Sequence, residues 1–175
     1  AGILDDTLAA AGIDPAGVER VRAEPDDLRM LYDGQVDAWL GYAQDEPVQV
    51  ETAGYDVSSI FPADFGIGGY EGLLITHQAT VSRSPDLVAR FVKATYEGWR
   101  YALEHPDEAA EVLDSWAPTN GLEFQKKAVR AVAPLVDTPQ VPVGWIDGAR
   151  WQQLVGAGFD PENPGFTMRF SPETP

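Results

Sequence analysis

The chain has 175 residues, of which 44% are hydrophobic, so it is long enough to bury a core of ordinary domain size. Its 28 acidic and 12 basic residues give a formal net charge of −16, which argues against a nucleic-acid partner because such binding needs clustered Lys and Arg. The absence of cysteine excludes a disulfide framework and thiolate chemistry. No window approaches the ~20 apolar residues that a membrane helix requires.

The first 61 residues alternate between helical patterns and short apolar runs. Helices are predicted over residues 3–11, 24–33 and 45–52, and strands over 18–21, 36–40 and 57–61. Helices that alternate with short apolar strands are typical of a parallel sheet with crossover helices. We therefore expect an α/β fold.

Residues 62–70 interrupt this alternation with a loop that contains Gly66, Gly68 and Gly69, where the backbone has unusual freedom. A strand is predicted over 71–76, and helices over 84–104, 107–116, 121–133 and 146–155. The tail after Gly158 is rich in proline and predicts a strap on the surface. Four tryptophans lie on apolar helix faces or beside them and are predicted core residues: Trp99, Trp116, Trp145 and Trp151.

The stretch from Gly34 to Pro47 is the candidate functional site. It predicts a buried strand that turns at Gly41 into a helix whose first residues are Asp45 and Glu46. In α/β proteins, ligands bind where strand ends meet helix N-termini, because unpaired backbone N–H groups face the crevice there.

Val36-Asp37-Ala38, the Gly41-Tyr42 pair and Glu46-Pro47 resemble the corresponding motif in solute-binding proteins of ABC importers of the SsuA/ThiY-like group. Members of this group bind pyrimidine precursors of thiamine, sulfonates, nitrate or flavins. Further segments agree with the group in the same order: Gly54-Tyr55-Asp56-Val57, Asp64-Phe65-Gly66, Leu73-Leu74-Ile75-Thr76, Ser84-Pro85-Asp86-Leu87, Gly98-Trp99 and His105-Pro106-Asp107-Glu108. The resemblance covers residues 1–116 well.

The resemblance implies a periplasmic-binding-protein-like type II fold with two lobes and a hinge crossing, of which only the C-terminal part is present. Residues 1–65 would be the remainder of the second lobe. Residues 66–175 would return to the first lobe with one strand, helices and the C-terminal strap. It further implies an extracytoplasmic protein whose export signal lies outside this sequence, monomeric at full length, which delivers a small-molecule ligand to ABC permease subunits without a cofactor.

Three side chains of the bend are the main predicted ligand contacts. The resemblance implies that Tyr42 stacks on a flat heteroaromatic ring and that Glu46 accepts hydrogen bonds from ring or amine donors. Asp45 replaces the group's usual Asn and can only accept when ionised, which favours a neutral or cationic ligand rich in donors. A structural interpretation stays open, in which Asp45 caps the helix, Glu46 complements its dipole and Tyr42 packs.

Three aromatic residues are weaker candidates for the same cleft. Trp39 lies on the motif strand, where burial of both faces of a parallel sheet favours a core position over a ligand contact. Phe65 and Tyr70 flank the glycine loop, and they would line the cleft from the hinge side if the lobes cross there.

The main alternative function is enzymatic. Hydroxymethylpyrimidine-phosphate synthases of similar fold use a cysteine-rich motif just before the strand that corresponds to residues 71–76. This chain has Gly66-Ile67-Gly68-Gly69-Tyr70-Glu71 there and no cysteine, so we expect no enzymatic activity. His77 and His105 lack the spacing of metal ligands. Binding of sulfonate, nitrate or riboflavin, and a sensory domain, also stay open.

Overall fold

The computed structural model describes residues 2–24, 27–118, 120–138 and 142–171. Eight α-helices lie in these residues: α1 (Ile3–Ala10), α2 (Arg29–Tyr32), α3 (Glu46–Thr52), α4 (Gln78–Arg83), α5 (Pro85–Glu104), α6 (Pro106–Trp116), α7 (Leu122–Val136) and α8 (Gly148–Val155). Short 3-10 turns occur at Pro15–Gly17, Pro62–Phe65 and Gly156–Gly158. None of these described helices combines the length and apolarity that a bilayer crossing requires.

Most predicted helices are confirmed, because their ends carry strong local signals. Proline occupies the first turn of α3, α5 and α6, where its fixed φ suits a helix start and its missing N–H is not needed. After α1, Gly12 adopts a φ of 75°, the left-handed conformation that commonly ends helices. Among the described residues of the second predicted helix, only Arg29–Tyr32 is helical, and α4 was not predicted.

The predicted strands are wrong for the described residues. Within them, the segments 18–21, 36–40, 57–61 and 71–76 contain no β-strand, and the parallel sheet of the expected α/β fold is not formed. A strand exists only when a neighbouring segment pairs with its N–H and C=O groups. The described part of the chain is organised instead by helix packing, most extensively between α6 and α7 and between α3 and α7. The division into two lobes stays a prediction.

The core lies where α3 and α6 pack against α7. Val48 of α3 contacts Phe124 and Ala128 of α7, and all three side chains are buried. Ala110 of α6 is fully buried. This packing explains how α3, only seven residues long, has a fixed position although so short a helix is unstable alone.

Several large apolar side chains remain exposed. Ile75 is 90% exposed and Leu74 55%, and Phe91 of α5 is 61% exposed. Trp116 is 86% exposed, so its predicted core position is wrong, and Trp99 is also exposed. Trp145 and Trp151 are half-buried. Apolar side chains this exposed at several places are a liability for association.

Candidate functional site

The predicted site is a turn that leads directly into α3. The N–H of Asp45 donates to the carbonyl of Tyr42 across 2.9 Å, which closes the turn. Asp45 is the residue before the helix, and its carbonyl accepts the hydrogen bond from the N–H of Gln49 at 2.9 Å. Because Val48 of α3 belongs to the buried cluster with Phe124 and Ala128 of α7, the turn is attached to the core.

The carboxylate of Glu46 folds back over the turn. Its Oε2 accepts a hydrogen bond from the backbone N–H of Tyr42 at 2.7 Å. A Cβ atom at Gly41 would lie 2.4 Å from the same oxygen, so the carboxylate occupies the space that a side chain at position 41 would need. Charged acceptors form the stronger hydrogen bonds, and this one fixes the backbone on which the ring of Tyr42 is mounted.

Asp45 does not act as a side-chain cap of α3. Its Oδ1 accepts a hydrogen bond from Nε2 of Gln49 at 2.9 Å, and no capping bond from its side chain to the helix backbone is formed. Asp45 therefore occupies the N-cap position through its backbone carbonyl but does not cap the helix through its side chain, and its contact with Gln49 was not predicted. The signal was available, since residues four apart on a helix face each other.

Tyr42 is 57% exposed, so its ring does not merely pack against the protein. Its backbone is fixed at both polar groups, since its N–H donates to Glu46 and its carbonyl accepts from Asp45. Trp39 lies three residues earlier and is half-buried. A ring presented in this way suits stacking against a flat ligand, and the ligand contacts of Tyr42, Asp45, Glu46 and Trp39 stay predictions.

Tyr70 is engaged with α8 and not with the turn at Tyr42. Its hydroxyl oxygen accepts a hydrogen bond from the N–H of Asp147 at 2.8 Å. The guanidinium carbon of Arg150 lies 5.2 Å from the centre of its ring, and the ring centre of Trp151 lies 6.1 Å away. Arg150 also donates to the carbonyl of Gly69 at 3.3 Å. No local pattern predicts this cluster, because it joins segments about eighty positions apart.

Phe65 ends the 3-10 turn Pro62–Phe65, which packs against α1. Its side chain is 38% exposed. The structure therefore brings Tyr42, Asp45 and Glu46 together and places Phe65 and Tyr70 in different surroundings. The roles of both residues in a cleft stay predictions. Across the described ranges, no group of three or more His, Cys, Asp or Glu side chains is arranged to hold a metal ion.

The chain belongs to the NMT1/THI5-like family, whose sequence profile matches residues 1–109. This match confirms the resemblance drawn from the motifs around the turn. It includes the whole candidate site, from the segment that carries Trp39 to the loop that carries Tyr70.

Three curated relatives are named for a pyrimidine or for riboflavin. The chain is 27% identical over 159 residues to the formylaminopyrimidine-binding protein of Halalkalibacterium halodurans, covering 87% of this chain and 48% of that protein. It is 27% identical over 180 residues to the riboflavin-binding protein RibY of Chloroflexus aurantiacus, covering 94% and 51%. It is 26% identical over 181 residues to the 4-amino-5-hydroxymethyl-2-methylpyrimidine phosphate synthase of Legionella pneumophila, covering 99% and 57%. The chain thus spans about half the length of the curated relatives it matches.

Proposed function

We propose that the chain is part of an extracytoplasmic solute-binding protein. This protein captures a small heteroaromatic molecule of the thiamine-pyrimidine type and delivers it to an ABC permease. Membership of the family supports this proposal, as do the two relatives named for binding formylaminopyrimidine and riboflavin. Both of those ligands are flat nitrogen heterocycles. Nitrate and the sulfonate group of taurine are anionic and contain no heterocyclic ring.

The observation that carries the proposal is the exposed ring of Tyr42 on a turn bordered by two carboxylates. A flat ring stacked on a tyrosine gains roughly 1–3 kcal/mol, by analogy with bases stacked on aromatic side chains. The two negative charges of Asp45 and Glu46 beside this ring favour a neutral or cationic ligand over an anion. A thiamine-type aminopyrimidine has a flat ring and is not an anion.

Calorimetric titration of the complete gene product tests the proposal with five ligands: hydroxymethylpyrimidine, formylaminopyrimidine, riboflavin, taurine and nitrate. We expect a pyrimidine to bind most tightly. Replacement of Tyr42 by alanine should weaken that binding about 5- to 150-fold, as roughly 1–3 kcal/mol of lost stacking implies. The matched control is Tyr101→Ala, which removes another exposed tyrosine from α5. Binding of an anion alone, or equal losses in both variants, would refute the ligand class and the site.

A pyrimidine-phosphate synthase is the second candidate, and the Legionella relative supports it because its similarity extends over 99% of this chain. We propose binding without chemistry, because the chain contains no cysteine for the motif expected of the related fungal synthases. Prolonged incubation of the protein with each bound ligand in a small-molecule extract that supplies phosphorylated metabolites, followed by mass spectrometry, separates the candidates. Ligand recovered unchanged supports a binding protein, whereas formation of a pyrimidine phosphate by the wild-type chain would establish the enzyme.

A further inference from the structure

The backbone conformation at position 41 does not require a glycine. A glycine is required where φ lies between about +20° and +160°, and several glycines of the chain adopt such values, among them Gly34 with a φ of 66°. Gly41 is not among them, so its backbone conformation is open to other residues. What restricts position 41 is space, because a Cβ atom would lie 2.4 Å from Oε2 and 2.5 Å from Cδ of Glu46.

The carboxylate that fills this space bonds the next residue. Oε2 of Glu46 accepts the N–H of Tyr42 at 2.7 Å. A residue with a side chain at 41 would displace the end of a flexible glutamate, which is sterically easy but breaks that hydrogen bond. Glycine at 41 and glutamate at 46 therefore form one unit whose effect falls on the backbone of Tyr42.

We propose that Glu46 is a positioning residue for Tyr42, and that Gly41 is glycine in order to admit its carboxylate. Glu46 holds the N–H of Tyr42 so that the backbone that carries the exposed ring is fixed before a ligand arrives. Ordering a binding loop in advance lowers the entropy lost on binding, which is worth about 2- to 10-fold in affinity. This affinity effect rests on the proposed function, whereas the effect on the Tyr42 backbone does not.

Amide hydrogen exchange at Tyr42, read by NMR in the complete gene product, tests the unit directly. Glu46→Ala should raise the exchange rate at least about tenfold, the factor expected for loss of a hydrogen bond to a charged group. Glu46→Gln keeps an acceptor oxygen at the same distance along the side chain and should restore most of the protection. Glu51→Ala removes a glutamate from the exposed side of the same helix and should leave the rate unchanged. The proposal is overturned if Glu46→Ala exchanges like the wild type, or if Glu46→Gln loses as much protection as Glu46→Ala.

A double-mutant cycle tests the part played by Gly41. Gly41→Ala alone should accelerate exchange at Tyr42 as Glu46→Ala does, because the added Cβ displaces the carboxylate. In the Glu46→Ala background the same substitution should add nothing, since the carboxylate that it displaces is already gone. Additive effects of the two substitutions would overturn the link between these residues.

The affinity measurement distinguishes positioning from direct contact. For the pyrimidine bound most tightly, Glu46→Ala should weaken binding about 2- to 10-fold, and Glu46→Gln should recover it. Lost affinity in Glu46→Gln with Tyr42 still protected would assign Glu46 a direct contact with the ligand and overturn the positioning role. If the wild type binds none of the heteroaromatic ligands, the proposed function fails, and the exchange experiment still decides whether Glu46 positions Tyr42.

Discussion

Phe124 is the side chain whose removal should most weaken the attachment of the candidate site. It is 7% exposed and packs with Val48 of α3 and Ala128 of its own helix. Truncation of a buried phenylalanine to alanine costs about 3–5 kcal/mol through lost transfer energy and the cavity left behind. Since whole domains are stable by only about 5–15 kcal/mol, Phe124→Ala should remove a large part of the free energy of unfolding.

Urea denaturation followed by tryptophan fluorescence measures this loss in a chain of the printed sequence. The matched control is Phe91→Ala, because Phe91 of α5 is 61% exposed and its truncation should change the unfolding free energy by only about 0.5 kcal/mol. The two variants delete the same atoms and differ in burial alone. Equal losses in both variants, or a loss below about 1 kcal/mol in Phe124→Ala, would refute the assignment of the core.

Three further predictions concern other parts of the chain. Tyr70→Phe removes the hydroxyl that accepts from the N–H of Asp147 and should lower the unfolding free energy by about 1 kcal/mol, with an unchanged urea midpoint as the contrary result. Hydrogen bonds from Arg29 lower the pKa of Asp27 from 3.8 to about 2, so the pair stabilises the fold above pH 3.8 and loses this effect as the pH falls through about 2. In Arg29→Gln, NMR titration should find the Asp27 pKa closer to its ordinary value, and an unaltered pKa would contradict the cause. Because Ile75 is exposed, the 175-residue chain should bind a hydrophobic dye, and Ile75→Ser should reduce this binding. A chain that binds no dye would contradict the exposure of Ile75.

The helices could be predicted because their signals are local. Proline in the first turn, glycine after the last and apolar residues at helical spacing are all legible within a dozen positions, and α5 begins and ends within one residue of its predicted bounds. The strands could not be predicted in the same way. An apolar run such as 36–40 indicates only that the segment is compatible with a sheet. Whether it forms a strand depends on a second segment whose backbone can hydrogen-bond with it. In the described residues no such partner lies beside it.

In the candidate site, too, the features set by neighbouring residues could be predicted, and those set by tertiary contacts could not. The helix start at Glu46 follows from neighbouring residues and is confirmed, whereas the turn predicted at Gly41 is formed one residue later, between Tyr42 and Asp45. The direction of the Glu46 carboxylate does not follow, because a glutamate at a helix start can point towards a ligand or back onto its own backbone. The contact between Tyr70 and Asp147 could not be predicted either, because it joins segments that only the tertiary structure brings together.

The core and the candidate site are coupled through α3, because the same short helix carries a core residue and a candidate site residue. Val48 holds the helix against α7, and Glu46, two positions earlier, holds the N–H of Tyr42. A seven-residue helix does not persist without its tertiary contacts, so loosening Val48 also releases the carboxylate from the turn. Core substitutions at this contact should therefore accelerate amide exchange at Tyr42 even though they lie away from its ring, whereas substitutions in the cluster of Tyr70 and α8 should not.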